Sequence, residues 1–219
     1  MSKIVWPRGS IVLTPEDLLW AGRAAAREAS AGLGWTAVLW SWAQRAAWLG
    51  DRGRGVACRG QSGMLPLTYT NVVRCHSQPV NPYWINRGTA AQIRVRSYLQ
   101  SPAATWEGLE RGSGPMQPKP GLKAHVYRWA AGELPNPVDR LADFSAPGMS
   151  DVPRGAPVIG GNAFFPETET RSWPANYVHI EGTPGTSGGG AASGNGPGLL
   201  TGLLIALGVF TIGYLAFKD

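Results

Sequence analysis

Residues 35–49, WTAVLWSWAQRAAWL, are apolar nearly all the way round a helix. Val38, Leu39, Trp42, Ala46 and Leu49 form one broad face, and a helix of this kind needs other elements to cover it. Gln44 and Arg45 interrupt the run, and its shortness also argues against a membrane span. The segment is therefore expected inside a folded domain. The chain's ten Trp fit a packed interior, a carbohydrate-binding surface, or both, and its 219 residues suffice for one domain with extras. The high counts of Gly (30) and Pro (18) imply that part of the chain is loop or linker.

Before this run stands TPEDLLWAGRAAAREA, with the marks of a helix start. Thr14 suits an N-cap, Pro15 the first turn, and Glu16 and Asp17 favour the helix dipole. Leu18, Gly22, Ala25 and Ala29 recur at helical spacing. Glu28 falls about 80° round from Leu18 at ~100° per residue, on the edge of that stripe, where a cleft residue would sit. AGLG then breaks the helix.

Further on, GDRGRG and RGQSGMLPL read as loop, and TYTNVVRCHSQPVNPYW as a short helix ending in a Pro-punctuated turn. TAAQIRVRSYLQSPAATWEGLERG holds one or two helical pieces. From Ser113 the apolar runs AHVYRWA, LADFSAP, APVIGGNAFF and ANYVHI suggest strands or irregular structure. Residues 182–198, GTPGTSGGGAASGNGPG, form a low-complexity linker. Residues 199–217 follow, from Leu199 to Phe217, uncharged throughout. At ~1.5 Å rise per residue they nearly span a ~30 Å hydrocarbon core and are expected to be a transmembrane helix.

Up to Gln100 there are twelve Lys or Arg against four acids, and beyond it eight against ten. A basic first half suits an anionic polymer such as peptidoglycan. The cations are scattered and carry no nucleic-acid motif, so no nucleic-acid partner is expected. Cys58 and Cys75 are compatible with a disulfide or with two thiols. Neither belongs to a CxxC pair, and His76, His125 and His179 lack HExxH-type spacing, so no zinc or other metal is expected. The chain has no Walker A loop, no GxGxxG and no nucleophile elbow, since Met64 breaks GQSGM. Residues 1–13 show no secretory signal.

The order of segments resembles the SleB-type cell-wall hydrolases, in which a first helix ends in a catalytic Glu followed by Ala. Here AAAREAS carries Glu28 in that position. AVLWSWAQR has Ala43, Gln44 and Arg45 where the family's second helix ends near Asn-Arg. HSQPVNPYW is similar to the Ser-Gln-Pro, Asn-Pro-aromatic turn of phage-associated members. NPVDRLADFSAPG and VIGGNAFFPE resemble two later family segments. The likeness covers residues 14 to about 180. The family's Gly-Glu after the catalytic helix is absent from SAGLGW, and VDRLADF lacks its Gly pair.

The resemblance implies a mostly helical α+β, lysozyme-like (lytic transglycosylase-like) domain over residues 14–181; the linker and the transmembrane helix that follow are expected from composition alone. It implies peptidoglycan as substrate, with Glu28 catalytic and Gln78, Asn81, Tyr83, Trp84 and Asn162 as substrate ligands. No cofactor is implied. By residue type alone, Glu28 near Arg23 and Arg27 also fits a solvated side chain. Gln78 and Asn81 also fit turn caps, Asn162 a tight turn, and Tyr83 and Trp84 the core.

A lone acid suits a lytic transglycosylase, whereas a hydrolase of the usual kind needs a second carboxylate. The expected function is thus cleavage of the glycan strand between MurNAc and GlcNAc by a virion-associated enzyme assisting genome delivery through the cell wall. The alternatives are an inactive membrane-anchored virion structural protein and a peptidoglycan amidase. The expected partners are peptidoglycan, the lipid bilayer through residues 199–217, and other virion proteins. A single C-terminal span without a leader leaves the domain in the cytoplasm. Packaging in a virion, on an internal membrane or as an ejected protein acting in the periplasm or wall, resolves that conflict.

Overall fold

The computed structural model describes residues 1–182. Its first two strands, β1 (Ser2–Trp6) and β2 (Gly9–Leu13), form an antiparallel hairpin with Ile4 opposite Ile11. Alternation sends Ile4, Trp6, Ile11 and Leu13 inward. Thr14 then stays extended and accepts the Asp17 N–H at 3.1 Å, while the Asp17 carboxylate accepts the Thr14 N–H at 2.8 Å. This capping box starts α1 (Pro15–Glu28) where the sequence places it.

Ala29 leaves the helical region, with φ −141° and ψ 159°, so Glu28 is the last residue of α1. The next helix, α2 (Gly32–Asp51), begins three residues before Trp35 and is the buried axis of the domain. Ala37, Val38, Leu39, Ala43, Ala46 and Ala47 have no exposed surface at all.

The loop after α2 contains a short pair of strands, β3 (Val56–Ala57) and β4 (Met64–Leu65). Thr68 caps α3 (Tyr69–His76), and Thr70 donates through both its N–H and its hydroxyl to Asp17, at 2.8 and 2.7 Å. One carboxylate therefore ties together the starts of α1 and α3. Tyr69 donates its hydroxyl to the Leu39 carbonyl at 3.0 Å and stacks on Trp129, which joins α3 to the axis helix. After two short 3-10 turns, Gln78–Val80 and Pro82–Trp84, come α4 (Ala90–Gln100) and α5 (Trp106–Arg111).

AHVYRWA is not a strand. It lies in α6 (Leu122–Ala130), where Leu122, Val126, Trp129 and Ala130 are buried. Their spacing of four, three and one is helical, and packing against α1 and α2 chose it over the local alternation. Beyond α6, β5 (Asp143–Ser145), β6 (Val158–Ile159) and β7 (Asn162–Phe165) form an antiparallel sheet in the order β5-β7-β6. The last strand, β8 (His179–Glu181), pairs with β1 and puts Ile180 opposite Ile4.

The expected mostly helical, lysozyme-like class is corrected by this arrangement. The described residues form a mixed α/β domain with three small, open antiparallel sheets, two of them packed on α2 and the β3–β4 pair on α3. These strands are two to five residues long, too short to leave a strong period in the sequence.

Among the described residues no helix is long and apolar enough to cross a membrane. Helix α2 has the length, 20 residues, but carries Gln44 and Arg45 at its middle, both held by partners within the fold. The expected span at residues 199–217 and residues 183–198 of the expected linker lie outside the described residues. The expected transmembrane helix, bilayer partner and membrane-anchored virion localisation are corrected to this extent: residues 1–182 contain no helix that could carry them.

Candidate active site

Glu28 sits at the C-terminal end of α1, and three other parts of the chain converge on it. Ser77 donates its hydroxyl to Glu28 Oε1 at 2.8 Å. The amide of Asn162 donates to the Glu28 main-chain carbonyl at 2.7 Å. Glu28, Gln78 and Asn162 line one cavity of about 240 Å³ together with Arg27, Gln92 and Arg96. Pro79 and Val95 supply its apolar wall.

Each partner is placed by local structure. Ser77 follows the last turn of α3, where its N–H bonds the Val73 carbonyl at 2.9 Å and its own carbonyl accepts from Val80 and Asn81. The bridge between Cys58 and Cys75 pins that helix end to the loop after α2. Asn162 opens β7 after a two-residue turn, Gly160–Gly161, in which both residues have positive φ (60° and 90°). Such a turn strongly favours glycine. Gly160 lies against Gly34 of α2 so closely that a Cβ on Gly34 would stand 3.0 Å from the Gly160 Cα. This glycine pair lets the β6–β7 hairpin reach the end of α1.

Gln44 and Arg45 secure the other end of the same sheet. Gln44 donates to the Asp139 carbonyl, and Arg45 to the Ala142 carbonyl at 3.2 Å. Arg45 also pairs with Asp143 and Glu167, each at 2.6 Å. Asp143 faces Phe165 in the register, three residues along β7 from Asn162, or roughly 10 Å at ~3.4 Å per residue. Glu28 is the single carboxylate in the cavity lining.

Burial pushes the Glu28 carboxyl up to about 7 from its ordinary 4.5. The Ser77 hydroxyl, the Arg27 charge, the Gln78 main chain and the Arg96 charge pull it back down, but desolvation wins. The result is an acid that still holds its proton near neutrality and can release it, the property a general acid needs. The neighbouring His76, on the far side of Ser77 in sequence, is driven the other way by burial and by Arg45, to about 3, and stays neutral.

The other expected ligands stand apart from this cavity. Asn81 is buried and holds the chain: its amide donates to the Cys75 carbonyl at 2.8 Å and its oxygen accepts the Tyr83 N–H at 2.9 Å. Tyr83 and Trp84 meet edge to face at 5.1 Å. Guanidinium groups cover them, Arg87 4.1 Å from the Tyr83 ring and Arg59 about as near to both rings, at 5.5 and 5.4 Å.

Sequence reasoning passed over Ser77, although it lies inside the quoted SQP turn, and weighed Arg27 only as an offsetting charge. Arg96 and Gln92 gave no local signal, because α4 reaches Glu28 only through tertiary packing. Arg96 is held there by donating Nη1 to the carbonyls of Trp84, at 3.1 Å, and Arg87. Among the described residues no group of three or more His, Cys, Asp or Glu side chains could hold a metal ion. No family model, curated protein or solved structure matches this chain.

Proposed function

We propose that the chain is a peptidoglycan-cleaving lytic transglycosylase of the SleB-type resemblance, with Glu28 as acid and then base. The observation that carries this reading is a lone carboxyl, protonated near neutrality, in a polar cavity whose lining has no second carboxylate. In the first step Glu28 gives its proton to the glycosidic oxygen and the bond from that oxygen to the muramoyl C1 breaks. The leaving sugar departs with a free 4-hydroxyl. Glu28, now a carboxylate, takes the proton of the muramoyl C6 hydroxyl, and O6 closes on C1 to form the 1,6-anhydro ring. No water is consumed, and one carboxyl serves both steps.

Ser77 orients the carboxyl through Oε1 and stabilises its charged form between the steps, aided by Arg27 and Arg96. Asn162 fixes the main chain of Glu28 and so aims the side chain. Mass spectrometry of a peptidoglycan digest tests the reading. Muropeptides with 1,6-anhydro ends, lighter by one water than hydrolytic products, are expected. Glu28→Gln should lower turnover by at least ~10²-fold. Reducing ends throughout, or a Gln variant of near wild-type rate, would overturn it.

A further inference from the structure

The cavity carries more positive charge than its single acid calls for. Arg27 and Arg96 both line it, and Glu28 is the only carboxylate there to balance them. Arg27 stands exposed on the last turn of α1 and makes no hydrogen bond, ion pair or ring contact among the described residues. Arg96 is the opposite case, buried in α4 and anchored through Nη1 to two main-chain carbonyls. Half-buried Lys119 stands near enough that the Arg27 charge weighs on its proton, and its side chain too has no bonded partner among the described residues. Like charges gathered at a partly desolvated wall repel one another unless an anion sits among them.

We infer that the Arg27–Arg96 side of the cavity binds a carboxylate of the peptide borne by the muramoyl residue, so that peptide-bearing strands are taken in preference to bare glycan. This rests on the reading of Glu28 as the acid that cleaves the muramoyl bond. The peptide hangs from O3 of the sugar whose C1 reacts at Glu28, so its free carboxylates lie within reach of the same wall. A planar guanidinium suits a carboxylate because it can offer two parallel N–H donors. Arg27 is free to do so, and Arg96 is preorganised beside it. Pro79 and Val95 give the small apolar groups of a lactyl-peptide stem a surface to lie against.

The test uses the full chain and three strand preparations: intact peptidoglycan, the same strands with stem peptides removed, and the same strands with stem carboxylates converted to amides. KM on intact strands is expected to be at least ~10-fold lower than on the other two, with kcat little changed. R27Q should raise KM on intact strands to near the value on stripped strands. Wild type with equal KM on all three, or R27Q that keeps the preference, would overturn the inference.

Calorimetry with a muramoyl tetrapeptide and its amidated counterpart gives a readout without turnover. Binding at least ~10-fold tighter for the free carboxylates, weakened by salt and by R27Q, supports the inference. If that binding is found and no strand is cleaved, the fault lies with the catalytic reading of Glu28. Equal binding of the two ligands, no binding of either, or tighter binding of a phosphate-bearing wall polymer overturns the carboxylate assignment itself.

Discussion

Ser77 holds its hydroxyl 2.8 Å from Oε1 of Glu28, across 49 positions of sequence. The bond joins the end of α3 to the end of α1, and both helices end at that point. Asp17 and Thr70 join the two helix starts in the same way. The pair is thus fastened at both ends, and the acid inherits that fixed geometry.

The pH dependence of turnover follows from the raised Glu28 carboxyl. The first step needs the proton, and the group loses it at about 7. Turnover at low substrate should therefore fall as the pH rises through 7, as a single-proton limb in kcat/KM. A profile flat from pH 5 to 9 would remove Glu28 as the acid.

The same shift sets a stability difference. The folded chain holds this proton more tightly than the unfolded chain, where the group titrates at its ordinary 4.5. The contribution is fully present below about pH 4.5 and is lost as the pH climbs through 7, by on the order of 3 kcal/mol. Glu28→Gln cannot ionise. It should match wild type at pH 4 and exceed it by on the order of 3 kcal/mol at pH 8, read from urea denaturation at the two pH values.

Removing the Ser77 hydroxyl acts on the charged form of Glu28. Its hydrogen bond lowers the carboxyl's pKa, so Ser77→Ala should move the alkaline limb to higher pH. Loss of orientation should also cut kcat by roughly 10- to 100-fold, a cost in line with ~1.5–3 kcal/mol for a hydrogen bond to a charged group. The moved limb distinguishes a role at Glu28 from a merely structural one, and kcat/KM and kcat measured across pH read the two effects.

Gly160 and Gly161 should respond differently to alanine. Both have positive φ, so each variant bears backbone strain of ~1–2 kcal/mol. At Gly161 a Cβ meets nothing within 4 Å, whereas at Gly160 it collides with the Gly34 backbone. Gly160→Ala should lose at least ~1 kcal/mol more than Gly161→Ala, because overpacking adds to strain. It should also lower turnover by displacing Asn162. Chemical denaturation and kcat of the two variants check this.

The Cys58–Cys75 bridge spans 17 positions, and closing a loop of that size is worth ~3 kcal/mol. The double Cys→Ser variant should lose stability of that order in a thermal melt. It should also lose some turnover, since Ser77 lies two residues beyond Cys75.

The sequence by itself determined the elements whose signals are local. TPED carries a complete capping box, and α1 starts there because its four residues can satisfy one another's backbone groups. Residues 35–49 are apolar all round, and a helix with no polar face can rest only in the interior. Glu28 was legible as a helix-edge acid because helical periodicity alone sets its angle from Leu18. The turn at Gly160–Gly161 was also written locally, since two successive positive φ values favour glycine.

Only the tertiary structure decided the rest. AHVYRWA reads as a strand or irregular segment, and packing on α1 and α2 made it a helix instead. The hairpin of β1 and β2 has an inward face only because α2 lies beneath it and β8 returns from the far end of the domain. Glu28 became an acid of about 7 only when packing desolvated it against the opposing pull of Ser77 and Arg96, two residues brought to it from other segments, while Asn162 came from a third to hold its main chain. Desolvation and the field of neighbouring charges depend on distance in space, and a chain read residue by residue carries distance only along itself.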